Sequence, residues 1–206
     1  MECNYRHPLE MDDIPVLAPD VLTAEIRTRV EQGWRIVALF GLPEAASTPA
    51  NPLIGLLCVL THDATGTLAV LRTPPLSRYP SLTPACPQAH LFERELHEQW
   101  GIIPEGHPWL KPVRFTPPML HPDASRPLPG VTSWFRVDGP AVHEVAVGPV
   151  PAGIIEPGHF HFQCYGENVL HLEIALGFQH RGVERALQNG PDVRTIHFME
   201  CLAGDS

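Results

Sequence analysis

The chain has 206 residues, 44% of them apolar, with 24 prolines and a formal net charge of −9. That is long enough to bury a real core in one large or two small domains, and the prolines signal long connections. The acidic balance argues against phosphate-neutralising nucleic-acid binding and gives no attraction to anionic lipid.

No apolar run approaches the roughly 20 residues needed to span a bilayer. The opening MECNYRHPLEMDD has neither the basic start nor the apolar stretch of a signal peptide. Cys3, Cys58, Cys86, Cys164 and Cys201 are scattered and form no C-x-x-C pair, which fits a reduced, cytoplasmic setting.

In chain order, Pro19-Asp20 followed by VLTAEIRTRVEQG predicts a helix capped by Asp20, with Leu22, Ile26 and Val30 on one face and Gly33 at its end. WRIVALFG predicts a strand. IGLLCVLTH, the turn DATG and TLAVLR predict a β-hairpin with Gly66 in the turn, apolar enough to be covered on both faces. Residues 73–87 are a proline-rich loop. A second helix is expected over Pro87 to Trp100, with Ala89, Phe92, Leu96 and Trp100 as its stripe and Gly101 as its stop. Glu93, Arg94, Glu95 and Glu98 then make the wet face, with Arg94 and Glu98 as an i,i+4 pair.

From Ile102 to about Gly139 the composition turns to Pro, His and Gly and predicts a linker. EVAVGP, HFHFQC and NVLHLEIAL predict antiparallel strands with Gly166 in the last tight turn, and Cys164 as a core residue. Helix follows from Arg181, broken at Asn189-Gly190-Pro191.

The segment FERELHEQWGIIPEGHPWLKPVRF, Phe92 to Phe115, resembles the C subunit of NADH–quinone oxidoreductase (complex I). As residues it suits a docking element. A charged helix face, a stiff Gly106-His107-Pro108 turn and Lys111-Pro112-Val113-Arg114 present charges at low entropic cost, matching a neighbour's carboxylates. The residues alone read more readily as a solvated helix whose turn merely reverses the chain, and it is the resemblance that favours docking.

The stretch from His143 to Ser206 resembles the opening of a nickel–iron hydrogenase large subunit of the formate-hydrogenlyase type, and is similar to the D subunit of complex I. The joint resemblance implies an α+β fold: a small C-subunit-like domain over residues 1–118, a proline-rich linker over 119–142, and over 143–206 the β-rich start and first helices of a large-subunit-like domain. It implies a role in a complex-I-like or hydrogenase-like electron-transfer assembly on the cytoplasmic membrane face. Peripheral attachment would come through a small iron–sulfur subunit and membrane-arm subunits, without direct membrane insertion.

Three motifs carry the implied chemistry. His180-Arg181-Gly182-Val183-Glu184 matches a family motif whose glutamate is implicated in proton movement. The resemblance thus implies Glu184 as a proton relay with His180 and Arg181 beside it, although the residues also fit a plain amphipathic helix start. Pro151 stands where the family's Gly-Pro-x-His loop carries the histidine that meets quinone, and proline donates no hydrogen bond. Where such hydrogenases write Glu-Arg-x-Cys-Gly-x-Cys, this chain writes Glu200-Cys201-Leu202-Ala203-Gly204-Asp205-Ser206. Ala203 and Ser206 offer no thiolate, and Cys201 is out of register. The expectation is a scaffolding role with no nickel–iron centre or quinone held by this chain as written.

Two alternatives remain. The chain could be the front part of a competent hydrogenase or NADH–quinone oxidoreductase large subunit. It could also be a cupin-like metal protein using His159, His161 and Glu167, since a His-x-His pair on a strand points both imidazoles to one face. The apolar faces over 181–202 are expected to need a continuation of the chain, a partner or self-association to cover them.

Overall fold

The computed structural model describes residues 2–4, 9–121, 123, 133–149, 157–179, 182–187 and 192–203. They divide into two compact units, Met1–Thr132 and Ser133–Ser206.

The first unit is built on a four-stranded antiparallel sheet of β1 (Glu2–Asn4), β2 (Arg35–Pro43), β3 (Ile54–His62) and β4 (Thr67–Arg72), in the order β1-β4-β3-β2. The predicted hairpin is β3–β4, with Gly66 at φ +65° in its turn. Alternation along β3 sends Ile54, Leu56, Cys58 and Leu60 to one face and Leu57 and Val59 to the other. The first set joins the main core, the second a smaller cluster with Ile14 and Val70. Both faces are therefore covered, as the unbroken apolar runs predict.

Helix α1 (Pro19–Glu31) lays Leu22 and Ile26 into the main core, each fully buried. A fully buried leucine or isoleucine contributes about 1.5–3 kcal/mol. Asp20 does not cap this helix: Ala18 precedes it, Pro19 opens it, and Asp20 sits in the first turn, where its charge suits the helix dipole.

The second predicted helix is shorter than expected and has a different entry. Pro87–Ala89 make a 3-10 turn, and α2 runs from His90 to Trp100. Gly101 ends it in the left-handed region, φ +67°, its amide on the His97 carbonyl at 3.0 Å. The proline-rich loop and the segment after α2 each hold a short strand, β5 (Arg78–Pro80) and β6 (Ile103–Glu105), paired in parallel. Residues 102–105 therefore do not trail away as connector: Ile102 is buried in the main core and Pro104 is fully buried.

A bulge in β2 between Ile36 and Ala38 lets Ile36, Leu39 and Gly41 share the face of Leu60, Cys58 and Leu56. Gly41 is needed there because α2 drops Trp100 onto it. A Cβ at position 41 would lie 2.5 Å from Trp100 Cδ1.

The second unit holds a three-stranded antiparallel sheet, β7 (Val142–Val147), β8 (His159–Tyr165) and β9 (Asn168–Ala175), in sequential order. These are the three predicted strands, with Gly166 at φ +57° between the last two and Cys164 buried. Helices α3 (Val183–Ala186) and α4 (Thr195–Ala203) follow. The break expected at 189–191 lies outside the described residues. The mixture of helices with mainly antiparallel sheets is in keeping with an α+β class.

Gly41→Ala should destabilise the first unit by about 1–3 kcal/mol through overpacking against the indole. Urea unfolding checks this, and adding Trp100→Leu should recover part of the loss. An unchanged midpoint in the single variant would show that the ring is not fixed over Gly41.

Candidate functional site: a loop clamped along the second helix

The polar side chains of α2 do not make a wet face. Glu93 is fully buried. Its carboxylate accepts hydrogen bonds from Ser81 Oγ at 2.6 Å, the Leu82 amide at 2.7 Å, and the Thr83 amide and Oγ1 at 3.1 and 2.6 Å. Two oxygens taking four donors fill the usual acceptor capacity of a carboxylate. The turn after β5 is thereby tied to the helix.

One turn further on, Glu98 gathers three consecutive backbone amides. Oε2 accepts from Val113 and Arg114, both at 2.8 Å, and Oε1 from Phe115 at 2.7 Å. Successive amides wrapped about an anionic group form a nest. Phe115 closes it at φ +56°, a left-handed conformation that costs a non-glycine residue roughly 1–2 kcal/mol. Its ring is buried, so packing helps to hold the strained backbone.

Arg94 completes the clamp. Nε donates to the Lys111 carbonyl and Nη2 to the Pro112 carbonyl, each at 2.7 Å. Arg94 and Glu98 therefore spend their polar atoms on the loop, and the i,i+4 pair expected between them is replaced by bonds to backbone. Burial holds the Arg94 guanidinium below its ordinary pKa, with the Glu98 charge opposing. Gln99 adds a bond to Thr116 Oγ1 at 3.2 Å, and its carbonyl accepts the Leu120 amide at 3.1 Å.

The Gly106-His107-Pro108 turn is seated between imidazoles and an indole. His107 Nδ1 accepts the Trp109 amide at 3.0 Å, and its ring stacks on His90 with centroids 5.4 Å apart. His107 Nε2 faces Glu93 Oε2 at 4.0 Å. Desolvation lowers the pKa of His107, against the pull of Glu93, and lowers that of His90 with help from Arg94. Burial first, and then the Glu93 charge, push the Tyr79 phenol above its ordinary value.

What remains outward is modest in charge. Arg114 pairs with Glu95 at 2.9 Å, and Lys111 Nζ lies 5.4 Å over the Trp109 ring. Beside them an open cavity of about 500 Å³ is lined by Pro87, Gln88, His90, Leu91, Phe92, Glu95, Val113 and Arg114. Leu91 is 55% exposed at its edge. The arrangement is a rigid ledge of mixed apolar and paired charged groups, suited to recognition by shape.

The candidates from the C-terminal stretch fare differently. His180 and Arg181 lie outside the described residues, as does the side chain of Glu184, whose backbone is in α3. Pro151 and Ser206 also lie outside them, and Cys201 and Ala203 are described only as backbone of α4. His159 and His161 do share one face of β8, with ring centroids 6.3 Å apart. Trp134 packs on both rings, at 5.1 and 4.7 Å, and His159 Nδ1 lies 3.2 Å from the Gly148 carbonyl. Glu167 sits in the hairpin turn beyond the Tyr165–Asn168 pair, exposed and at the far end of the strand. Among the described residues no three His, Cys, Asp or Glu side chains gather as a metal set.

The sequence reading missed the buried polar groups of the second unit. Gln163 and Glu173 are buried there with His161. Glu173 Oε1 accepts the Phe135 amide at 2.6 Å, and Gln163 Oε1 the Val137 amide at 3.4 Å. The available signal was the period-two run His159, His161, Gln163 facing His171 and Glu173.

Comparison with known proteins places this geometry. Residues 45–128 match the family of the respiratory-chain NADH dehydrogenase 30 kDa subunit. The chain is 30% identical over 139 residues to formate hydrogenlyase subunit 5 of Escherichia coli (strain K12), covering 59% of this chain and 24% of that protein. It is 29% identical over 135 residues to hydrogenase-4 component G of the same organism, again covering 59% and 24%. The chain thus spans about a quarter of the length of these relatives. Glu93, Glu98, Arg94 and the loop they hold all lie within the stretch that is similar to the 30 kDa subunit.

Proposed function

We propose that this chain is a subunit, or part of one, of a complex-I-like or hydrogenase-like electron-transfer assembly, in which its first unit docks rather than catalyses. The observation that carries this reading is the clamp. Glu93, Arg94 and Glu98 commit their polar atoms to the chain's own backbone and hydroxyls, and so fix one conformation of residues 106–116 in advance. A loop ordered before binding gives up little entropy on association. The 30 kDa subunit match and the two relatives, named as a subunit and a component, support the same reading.

The proposed partners are a small iron–sulfur subunit and membrane-arm subunits on the cytoplasmic face of the membrane. No helix among the described residues is long and apolar enough to cross a membrane, so attachment through those partners suffices. The absence of thiol side chains at Ala203 and Ser206, and of a histidine at Pro151, supports a scaffolding role without a nickel–iron centre or quinone held by this chain as written. Glu184, with His180 and Arg181, is carried in this proposal as a candidate proton relay. A second reading, part of a competent large subunit, is favoured by the matches covering only 24% of each relative. Stoichiometric nickel in the purified 206-residue protein would select that reading.

Affinity purification of the tagged chain from its native membranes should recover an iron–sulfur protein and membrane subunits. Their absence at every salt concentration would end the proposal. Leu91→Asp alters an exposed side chain at the cavity edge, so the unfolding midpoint should hold while recovery of partners falls at least tenfold. Full recovery with this variant would show that docking uses another face.

Glu98→Ala leaves three neighbouring amides without their acceptor and should cost about 2–3 kcal/mol of stability. Amide exchange at residues 113–115 should rise by at least tenfold. Unaltered exchange there would mean that the loop keeps its shape without the carboxylate, removing the physical basis of the docking argument.

A further inference from the structure

The sheet of the second unit is inverted relative to the usual order of apolar inside and polar outside. Pairing places Glu144 and Ala146 of β7, His159, His161 and Gln163 of β8, and His171, Glu173 and Ala175 of β9 on one face. That polar face is the covered one. Residues 134–137 lie over it, with Trp134 stacked on His161, Phe135 tilted against His171, and the Phe135 and Val137 amides bound to Glu173 and Gln163.

The opposite face is apolar and open. It carries Val145 and Val147, Phe160 and Phe162, and Val169, Leu172 and Ile174, with the buried Cys164 and the exposed His143 completing the Val169 row at its edge. Val147 is 51% exposed, Val169 55%, Ile174 46% and Leu172 37%. Leu176, 56% exposed, extends the patch beside Phe160. The face cannot be hidden by shifting a strand one residue, because that would expose the hydrogen-bonded polar set.

We propose that this face pairs with the same face of a second copy of the chain, closing a two-sheet sandwich about a two-fold axis. Three features favour a second copy. The patch is self-complementary in chemistry, apolar against apolar, as an isologous contact requires. It carries no carboxylate, lysine or arginine in a chain of net charge −9, so two copies meet there without opposing charges. Its exposed apolar area is about 600 Å² and two such faces would bury about 1,200 Å², the lower bound for a specific interface. A solitary patch of that size is at the upper end for a monomer. Two sheets packing face to face at about 10 Å need no new hydrogen bonds, since the backbone bonds run within each sheet.

Sedimentation equilibrium of the 206-residue protein between about 1 and 100 μM should show a reversible monomer–dimer equilibrium with micromolar dissociation. Leu172→Lys replaces a side chain already exposed in the protomer, so circular dichroism should stay unchanged while the dissociation constant rises at least tenfold. Val145→Lys should act alike, and Leu172→Met should leave the dimer intact. A monomer throughout the range, or a dimer indifferent to both lysine variants, overturns the inference. None of these outcomes bears on the recovery of partner subunits, so the docking proposal stands or falls separately.

Discussion

The first unit depends on one buried carboxylate and the donors brought to meet it. Removing a carboxylate from water costs several kcal/mol unless its oxygens are bonded, and Glu93 at zero exposure has two hydroxyls and two amides within bonding distance. Those donors come from Ser81 to Thr83, so satisfying Glu93 fixes the turn after β5 against α2. With β5 fixed, β6 pairs beside it and delivers Gly106 and His107 to the N-terminal half of the same helix. Glu98 and Arg94 then find the loop already within reach. The order is one of constraint: the apolar stripe of α2 sets the helix on the sheet, and the carboxylates decide what lies over its other side.

Much of this unit was legible in the sequence. The unbroken apolar runs of β3 and β4, Gly66 between them and the Ala89–Phe92–Leu96–Trp100 stripe gave hairpin and helix close to their observed limits. The role of Glu93 and Glu98 was not, because Glu-Arg-Glu on an amphipathic helix has the same composition whether its partner is water or a backbone turn. Their donors are supplied by residues 81–83 and 113–115, segments whose prolines read as connector. Proline there does not mean absence of order. It removes an amide that a ladder would use and leaves the others free to bind side chains.

The second unit shows a different limit of sequence reading. Alternation along His159-Phe160-His161-Phe162-Gln163-Cys164 separates a polar from an apolar face, and the strands fell where predicted. Alternation alone does not say which face is covered. Here the cover is the short segment around Trp134 and Phe135, whose rings and amides match imidazole, carboxamide and carboxylate groups better than they match aliphatic ones. The histidine pair that suggested a metal site is explained by this packing: an imidazole stacks flat against an indole, as His161 does at 4.7 Å and 14°.

The two units thus use polar side chains in the same way and expose surfaces of different character. In each, a few carboxylates, Glu93, Glu98 and Glu173 among them, are turned inward to order backbone and serve as internal fasteners. In the first unit this leaves a ledge of preset shape, with charge already paired at Glu95 and Arg114. In the second it leaves a bare aliphatic face. Shape and apolar area are the means by which protein surfaces bind one another, whereas a reactive site needs convergent polar atoms left available to a substrate. That contrast, argued from where Glu93, Glu98 and Glu173 spend their oxygens, is what supports the proposal that these surfaces dock.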